Sequence, residues 1–267
     1  MFISEIWAIW IIMFLLWSLL VVLLERKFLA FAQRRLGPSI LGRNGSLQLI
    51  WDLGKLYTKN IFTIPHLLAS EMHLFLLLLY VTQLSLCMHF ILGPNIYLFK
   101  NIDSLIIYMF LFTNLSHLAL LKVALTAQSR YVLLSVIRGI VQIISFDIFI
   151  VLLYIIIMVS TQSTHYYNFI LFQNKLPMII LFNIIGILFF IILLFEAKRT
   201  PFDHLETEAE VVAGYSTEYS GITLLCIYLI EYMHLVISAI LFTIIFLGGW
   251  FFTVNIYYLL FPQLLII

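Results

Sequence analysis

The sequence predicts an all-α polytopic membrane protein, with about six transmembrane helices plus an amphipathic surface helix. Three observations predict it. Hydrophobic residues make up 64% of the 267 and charged residues only 10%, a balance that excludes an ordinary soluble domain. Several apolar runs reach the length of about 20 residues that a helix needs to cross a bilayer, and none shows the period-2 alternation of barrel strands. The fourteen Lys and Arg residues are also distributed unevenly between successive connections.

The apolar runs fall near 6–24, 74–92, 105–123, 132–159, 178–195 and 223–250, all within one membrane domain. The fourth and sixth are long enough to tilt or to project beyond the hydrocarbon. The first connection, 25–70, is too long for a turn; it opens with ERKFLAFAQRRLGPS and is broken by LGRNG. Ser46 then reads as an N-cap for SLQLIWDLGKLYTKNIF, in which Leu47, Ile50, Leu53 and Leu56 recur at helical spacing. This is the amphipathic helix, near 46–60, and it is either an interfacial anchor or the wall of a lipid-facing cavity. The third connection, TAQSRY, is short, as expected between packed antiparallel spans. In the fifth, the acidic loop 196–220, Thr200-Pro201 marks a bend, and Asp203 is placed to cap a short helix that Gly214 ends.

Orientation follows from the basic residues. Arg26, Lys27, Arg34, Arg35, Arg43, Lys55 and Lys59 lie in the first connection, Lys122 and Arg130 flank the third, and Lys198 and Arg199 open the fifth. The even connections carry only Lys100 and Lys175, so the odd connections share the cytoplasmic or matrix face. Six of the thirteen acids, Glu196, Asp203, Glu206, Glu208, Glu210 and Glu218, sit on that same face. In a polytopic chain the basic cluster points to lipid head groups or a docked subunit, and no nucleic-acid module is present. The apolar run begins almost at Met1 without a cleavage site or transit segment. The expectation is therefore a chain made in the organelle that uses it, or a bacterial one. Twenty-four Phe and fourteen Tyr, with abundant Ile, fit an AT-rich organellar genome.

Ionisable groups inside spans are costly and mark function. Asp147 lies near the middle of the fourth run, and Glu231 lies about nine residues, roughly 13 Å, into the sixth. Arg138 and Asp147 project about 180° apart on their helix, so each needs a partner from elsewhere. Tyr228 and His234 flank Glu231 one turn away on either side. The seven histidines are scattered and read as helix-face or loop residues rather than haem ligands. Cys87 and Cys226 stand alone, so no disulfide framework, iron–sulfur cluster or zinc site is expected.

Several motifs occur in one order: ERKFLAFAQRRLGPS, WDLGKLYTKN, YVLLSVIRGIVQIISFD, EAKRTPFDHLETEAEVVAGYSTEY and IEY. Together they resemble the subunit 1 family of respiratory complex I, the membrane subunit at the arm junction of NADH:ubiquinone oxidoreductase. The resemblance covers nearly the whole chain. It implies a subunit of the mitochondrial inner membrane, or of a bacterial plasma membrane, that forms the mouth of the quinone tunnel. Ubiquinone is then the substrate, this chain binds no cofactor or metal and holds no catalytic residue of its own, and NADH, FMN and iron–sulfur clusters belong to partner subunits. By likeness, Arg26, Gln33, Arg35, Gly37, Pro38, Asp52 and Lys55 shape the tunnel mouth and the docking interface with the hydrophilic arm. The acidic path that couples quinone reduction to proton translocation maps to Asp203, Glu206, Glu208 and Glu210, then Glu196, Asp147 and Glu231. Arg138 is its internal counter-charge, and Glu25 and Arg199 lie near the same cavity.

Two departures accompany the likeness. Asn60 stands where the family has an acid after Thr-Lys. The family also continues with two further spans, so either this copy is reduced or a separate polypeptide carries those helices; the second is favoured, because the sixth helix would otherwise expose a packing face to lipid. The rival reading is a stand-alone proton or cation channel or secondary transporter. It explains the buried acids but not the ordered motifs, and the lack of a visible internal repeat weakens it.

Overall fold

The computed structural model describes residues 2–59, 66–89, 105–173, 176–199, 202, 214–216 and 218–249. The described residues are helical, joined by turns and irregular segments. Helix α1 is Phe2–Ala32, α2 Gln48–Thr58, α3 His66–His89, α4 Leu105–Leu125 and α5 Arg130–Thr161. They are followed by α6 Tyr166–Phe172, α7 Met178–Leu181, α8 Asn183–Glu196 and α9 Ile222–Phe246. Four helices, α3, α4, α5 and α9, contain stretches long and apolar enough to cross a membrane. The first predicted run lies inside α1. The fifth falls on α7 and α8, which are separated at Phe182 (φ −123°, ψ 56°).

Local sequence explains several boundaries. Helix α1 runs on through Glu25 to Ala32, because ERKFLAFA holds neither Gly nor Pro; it ends where Arg34 turns to φ 53°. The chain returns through a 3-10 turn at Arg43–Gly45. Gly45 has φ +75°, and a Cβ there would drive into the Pro38 carbonyl, so only glycine fits. The expected Ser46 cap is not formed: α2 starts after Leu47 with no side-chain cap, since that turn has already set the entry to the helix. Ser129 does cap α5, its Oγ accepting from Val132 N at 3.3 Å.

Helix α9 is the centre of the bundle. It packs against α1, α2, α3, α6, α7 and α8, and 83% of its membrane window is buried, against 22% for α5. The lipid-exposed packing face expected on this helix is therefore not seen among the described residues, because neighbouring helices enclose it. Fully buried Gln173 ties its far end: Nε2 donates to Ile244 O at 3.1 Å and Ile245 O at 2.8 Å, while Oε1 accepts from Met178 N at 3.1 Å.

The apolar core is divided in two. Leu79, Ala119, Val136 and Ile230 belong to one cluster; Leu86, Met109, Ile150 and Met233 belong to the other. On each of α3, α4, α5 and α9, polar side chains fall between the two. They are Thr82 and Gln83, Ser116 and His117, and Gln142, all buried, with Asp147 and Glu231 half-buried; buried His234 adjoins them just past Met233. A polar layer thus crosses the bundle, and α8 ends in it at Glu196.

Candidate functional site

The site has an apolar opening and a charged interior. The opening is a cavity of about 240 Å³ between α1, α2 and α9. Leu19, Val22, Leu49, Leu53 and Leu56 supply apolar wall, and Arg26, Asp52, Tyr228 and Tyr232 supply the polar groups. Arg26 Nη1 donates to Asp52 Oδ2, and Gln48 Nε2 donates to Asp52 Oδ1 at 3.1 Å. These hydrogen bonds link α2 to α1 in the cavity wall. The helical spacing that makes α2 amphipathic turns Leu49, Leu53 and Leu56 toward the cavity and leaves Ile50, Trp51 and Tyr57 exposed.

Tyr232 joins the opening to the interior. It lines the cavity, and its hydroxyl donates to Glu25 Oε2 at 2.8 Å. Glu25 also receives both arms of the Arg199 guanidinium, at 2.7 and 3.1 Å, and that guanidinium lies 5.0 Å from the Tyr232 ring centroid. Burial pulls the Arg199 pKa down, but Tyr232 and Glu25 more than offset it and leave it raised. The arginine is fully charged at any working pH.

Beyond Arg199 lie two small cavities of about 20 Å³ each, room for a single water. Both are lined by His117, Glu196 and Lys198; the first adds Gln83, Glu231 and His234, the second Gln142 and Asp147. Lys198 and Arg199 follow the α8 C-terminus, where a helix favours cations. Phe195 stacks between Phe146 and Phe202, and Gln142 Nε2 donates to the carbonyls of Phe195 and Phe202 at 3.3 and 3.1 Å. These contacts hold the end of α8, and with it Glu196, against α5.

The residues singled out in the sequence divide as follows. Arg26 and Asp52 pair in the wall of the opening, Glu25 and Arg199 pair beside Tyr232, and Glu196, Asp147 and Glu231 line the interior cavities. Arg138 is exposed on α5 and lines neither small cavity. Gln33, Arg35 and Lys55 are exposed and Gly37 and Pro38 half-buried, and none of the five lines the opening. Asp203, Glu206, Glu208 and Glu210 lie outside the described residues, as do Asn60 and the helix assigned to that loop. Sequence reasoning gave no role to Lys198, Gln83, Gln142, His117 or the Tyr232 hydroxyl. The available signal was the registry of His117, Gln142 and Glu231 at similar depths in three apolar runs.

Fold and site define a helical polytopic membrane protein with a charged layer inside its bundle. A family profile described as NADH dehydrogenase matches residues 5–267. NADH-ubiquinone oxidoreductase chain 1 of Paramecium tetraurelia is 30% identical over 234 residues, covering 86% of this chain and 88% of that one. NADH-ubiquinone oxidoreductase chain 1 of Triticum aestivum is 31% identical over 231 residues, covering 86% and 70%. A bacterial relative, an NADH-quinone oxidoreductase subunit of Pelagibacter ubique, is 32% identical over 240 residues, covering 89% and 71%. The chain belongs to the NADH dehydrogenase family to which these oxidoreductase subunits belong.

Proposed function

We propose that this chain is the complex I membrane subunit that forms the ubiquinone-tunnel mouth and begins the acidic path to proton translocation. One observation carries the reading. Tyr232 belongs both to the apolar cavity and to the Glu25–Arg199 cluster, and Lys198, the residue before Arg199, lines the small cavities with Glu196 and the interior acids.

The cavity suits a flat, largely apolar molecule arriving from the bilayer: its walls are leucine and valine, with tyrosines and one ion pair to orient a polar head. Reducing a quinone to a quinol takes two electrons and two protons. The electrons come from an iron–sulfur cluster in a partner subunit, with NADH and FMN further away. In this chain, the change in charge at the head of the tunnel is felt by Glu25 and Arg199. The coupled carboxylates Glu196, Glu231 and Asp147 redistribute protons in response, and the acids of the 196–220 loop join the path to the tunnel. Exposed Phe31, Leu36 and Ile40, beside Arg34 and Arg35, offer a surface on which the hydrophilic arm docks, while lipid covers the apolar outer face of α5. The complex works in the mitochondrial inner membrane.

Leu53→Trp tests the opening by filling the cavity. The expected result is a KM for a short-chain quinone raised about tenfold, equivalent to about 1.4 kcal/mol, with NADH oxidation by a soluble artificial acceptor unchanged. An unchanged KM in an assembled complex contradicts the assignment.

A further inference from the structure

Two of the histidines that look scattered along the chain, His117 and His234, come together in space. His117 on α4, Glu196 at the end of α8 and His234 on α9 each offer a ligand atom within 4.8 Å of the other two. The imidazole rings lie 5.0 Å apart, tilted by 52°. His234 Nε2 is 3.5 Å from Glu196 Oε1. Both histidines are more than nine-tenths buried, and each leaves an enclosed ring nitrogen without a hydrogen-bond partner, Nδ1 of His117 and Nε2 of His234. A buried imidazole nitrogen left unpaired costs stability, and a second ligand for it is the natural remedy.

Two imidazoles and one carboxylate, contributed by three helices, make a donor set suited to zinc and neighbouring transition metals, and unsuited to calcium or magnesium. Tetrahedral zinc with bonds of about 2.0–2.1 Å places adjacent ligand atoms roughly 3.3 Å apart. The His234–Glu196 separation already matches such an edge, and the remaining ligand closes by a side-chain movement on the order of 1 Å. The cavity of about 20 Å³ beside the three has room for one water as a fourth ligand. Gln83, whose Oε1 is also buried without a partner, lines that cavity and can accept from the water. Lys198 lines it too and opposes a cation, but Glu196, Glu231 and, across the second cavity, Asp147 supply three carboxylates to its one ammonium.

From this geometry we infer that His117, Glu196 and His234 form a site for a divalent cation of the zinc class. When filled, it locks α4, α8 and α9 together and takes Glu196 out of the acidic path. The binding rests on these residues alone; the resulting inhibition rests on the proposed path.

The test uses the purified complex containing this chain, stripped with a chelator and titrated with Zn²⁺. His117→Gln, His234→Gln and the double variant are compared with the wild type, so that one variant failing to assemble still leaves a comparison. Zinc retained after desalting should be one ion per complex higher in the wild type than in the double variant. NADH:quinone reduction, read against each protein's own metal-free rate, should be inhibited at a zinc concentration at least tenfold lower in the wild type. NADH oxidation by a soluble acceptor should not respond, and Mg²⁺ should not replace Zn²⁺. Equal zinc retention in wild type and variants overturns the site and leaves the path intact. Extra zinc retained without variant-dependent inhibition overturns the block, and with it the placing of Glu196 in the path.

Discussion

Arg199 and Glu25 stand 174 residues apart in the chain and share two hydrogen bonds, Nη1 to Oε1 at 2.7 Å and Nη2 to Oε2 at 3.1 Å. The pair ties the start of the acidic loop to the first helix. It sits beside Tyr232, which also lines the apolar cavity between α1, α2 and α9. Neither partner is widely exposed, at 29% and 13% of the side chain, so the pair is a structural bond as well as a site feature.

Removing Arg199 should leave the mostly buried Glu25 supported, among the described residues, by Tyr232 alone. Arg199→Met is expected to cost about 3 kcal/mol, visible as a lower melting temperature of the assembled complex. Arg199→Lys keeps the charge but not the planar fork, so its loss should be smaller. Pairing Arg199→Met with Glu25→Gln should restore part of the stability, which a double-mutant cycle reads directly. Additive losses would show that the two residues do not act on each other.

The outer pair behaves differently. Arg26 and Asp52 are 48% and 33% exposed, and such pairs contribute about 0.5 kcal/mol. Asp52→Asn should therefore leave thermal stability almost unchanged. It frees Arg26 in the cavity wall and should raise the KM for quinone about fivefold, equivalent to roughly 1 kcal/mol. A large stability loss with normal KM would mean that the pair braces α2 and does not shape the cavity.

Tyr219 closes the end of the acidic loop onto α4. Its hydroxyl donates to the Val123 carbonyl and lies 3.1 Å from Thr126 Oγ1. Burial pushes its phenol pKa above the ordinary 10.0, against the lowering effect of Thr126. Its folded state therefore holds the proton more tightly than the unfolded chain. The stabilisation is full below the unfolded pKa and is lost as pH rises from there through the folded value. Tyr219→Phe should cost about 1 kcal/mol near neutral pH and flatten the alkaline limb of the stability profile. An identical alkaline limb in the variant would contradict the assignment.

Much of this was legible in the sequence because it depends on length and periodicity. The apolar runs located the long helices, but the stripe expected on α2 held only in part: Leu53 and Leu56 line the cavity, while Leu47 and Ile50 are exposed and Leu49 lines it instead. Asp147 and Glu231 stood out because hydrocarbon tolerates so few charges, whereas Glu25 and Arg199, placed in connections, came only from the family resemblance. Pairing was not legible. Nothing local tells Arg199 that its partner is Glu25, or brings His117 beside His234, because those contacts depend on how α1, α4 and α9 cross. Ser46 was misread because the positive-φ turn at Asn44 and Gly45 sets the start of α2 without a cap. The counter-charge role of Arg138 came from the family resemblance, and its rotation about α5, which leaves it exposed, could not be read from the sequence.

The acidic path is the central claim, and Glu196 and Glu231 are its testable links among the described residues. Complex carrying Glu231→Gln or Glu196→Gln should be reconstituted in liposomes, and proton uptake measured per NADH oxidised. The account predicts an assembled complex that still oxidises NADH with a soluble acceptor but translocates fewer protons per electron during quinone reduction. Full proton translocation in both variants would contradict it.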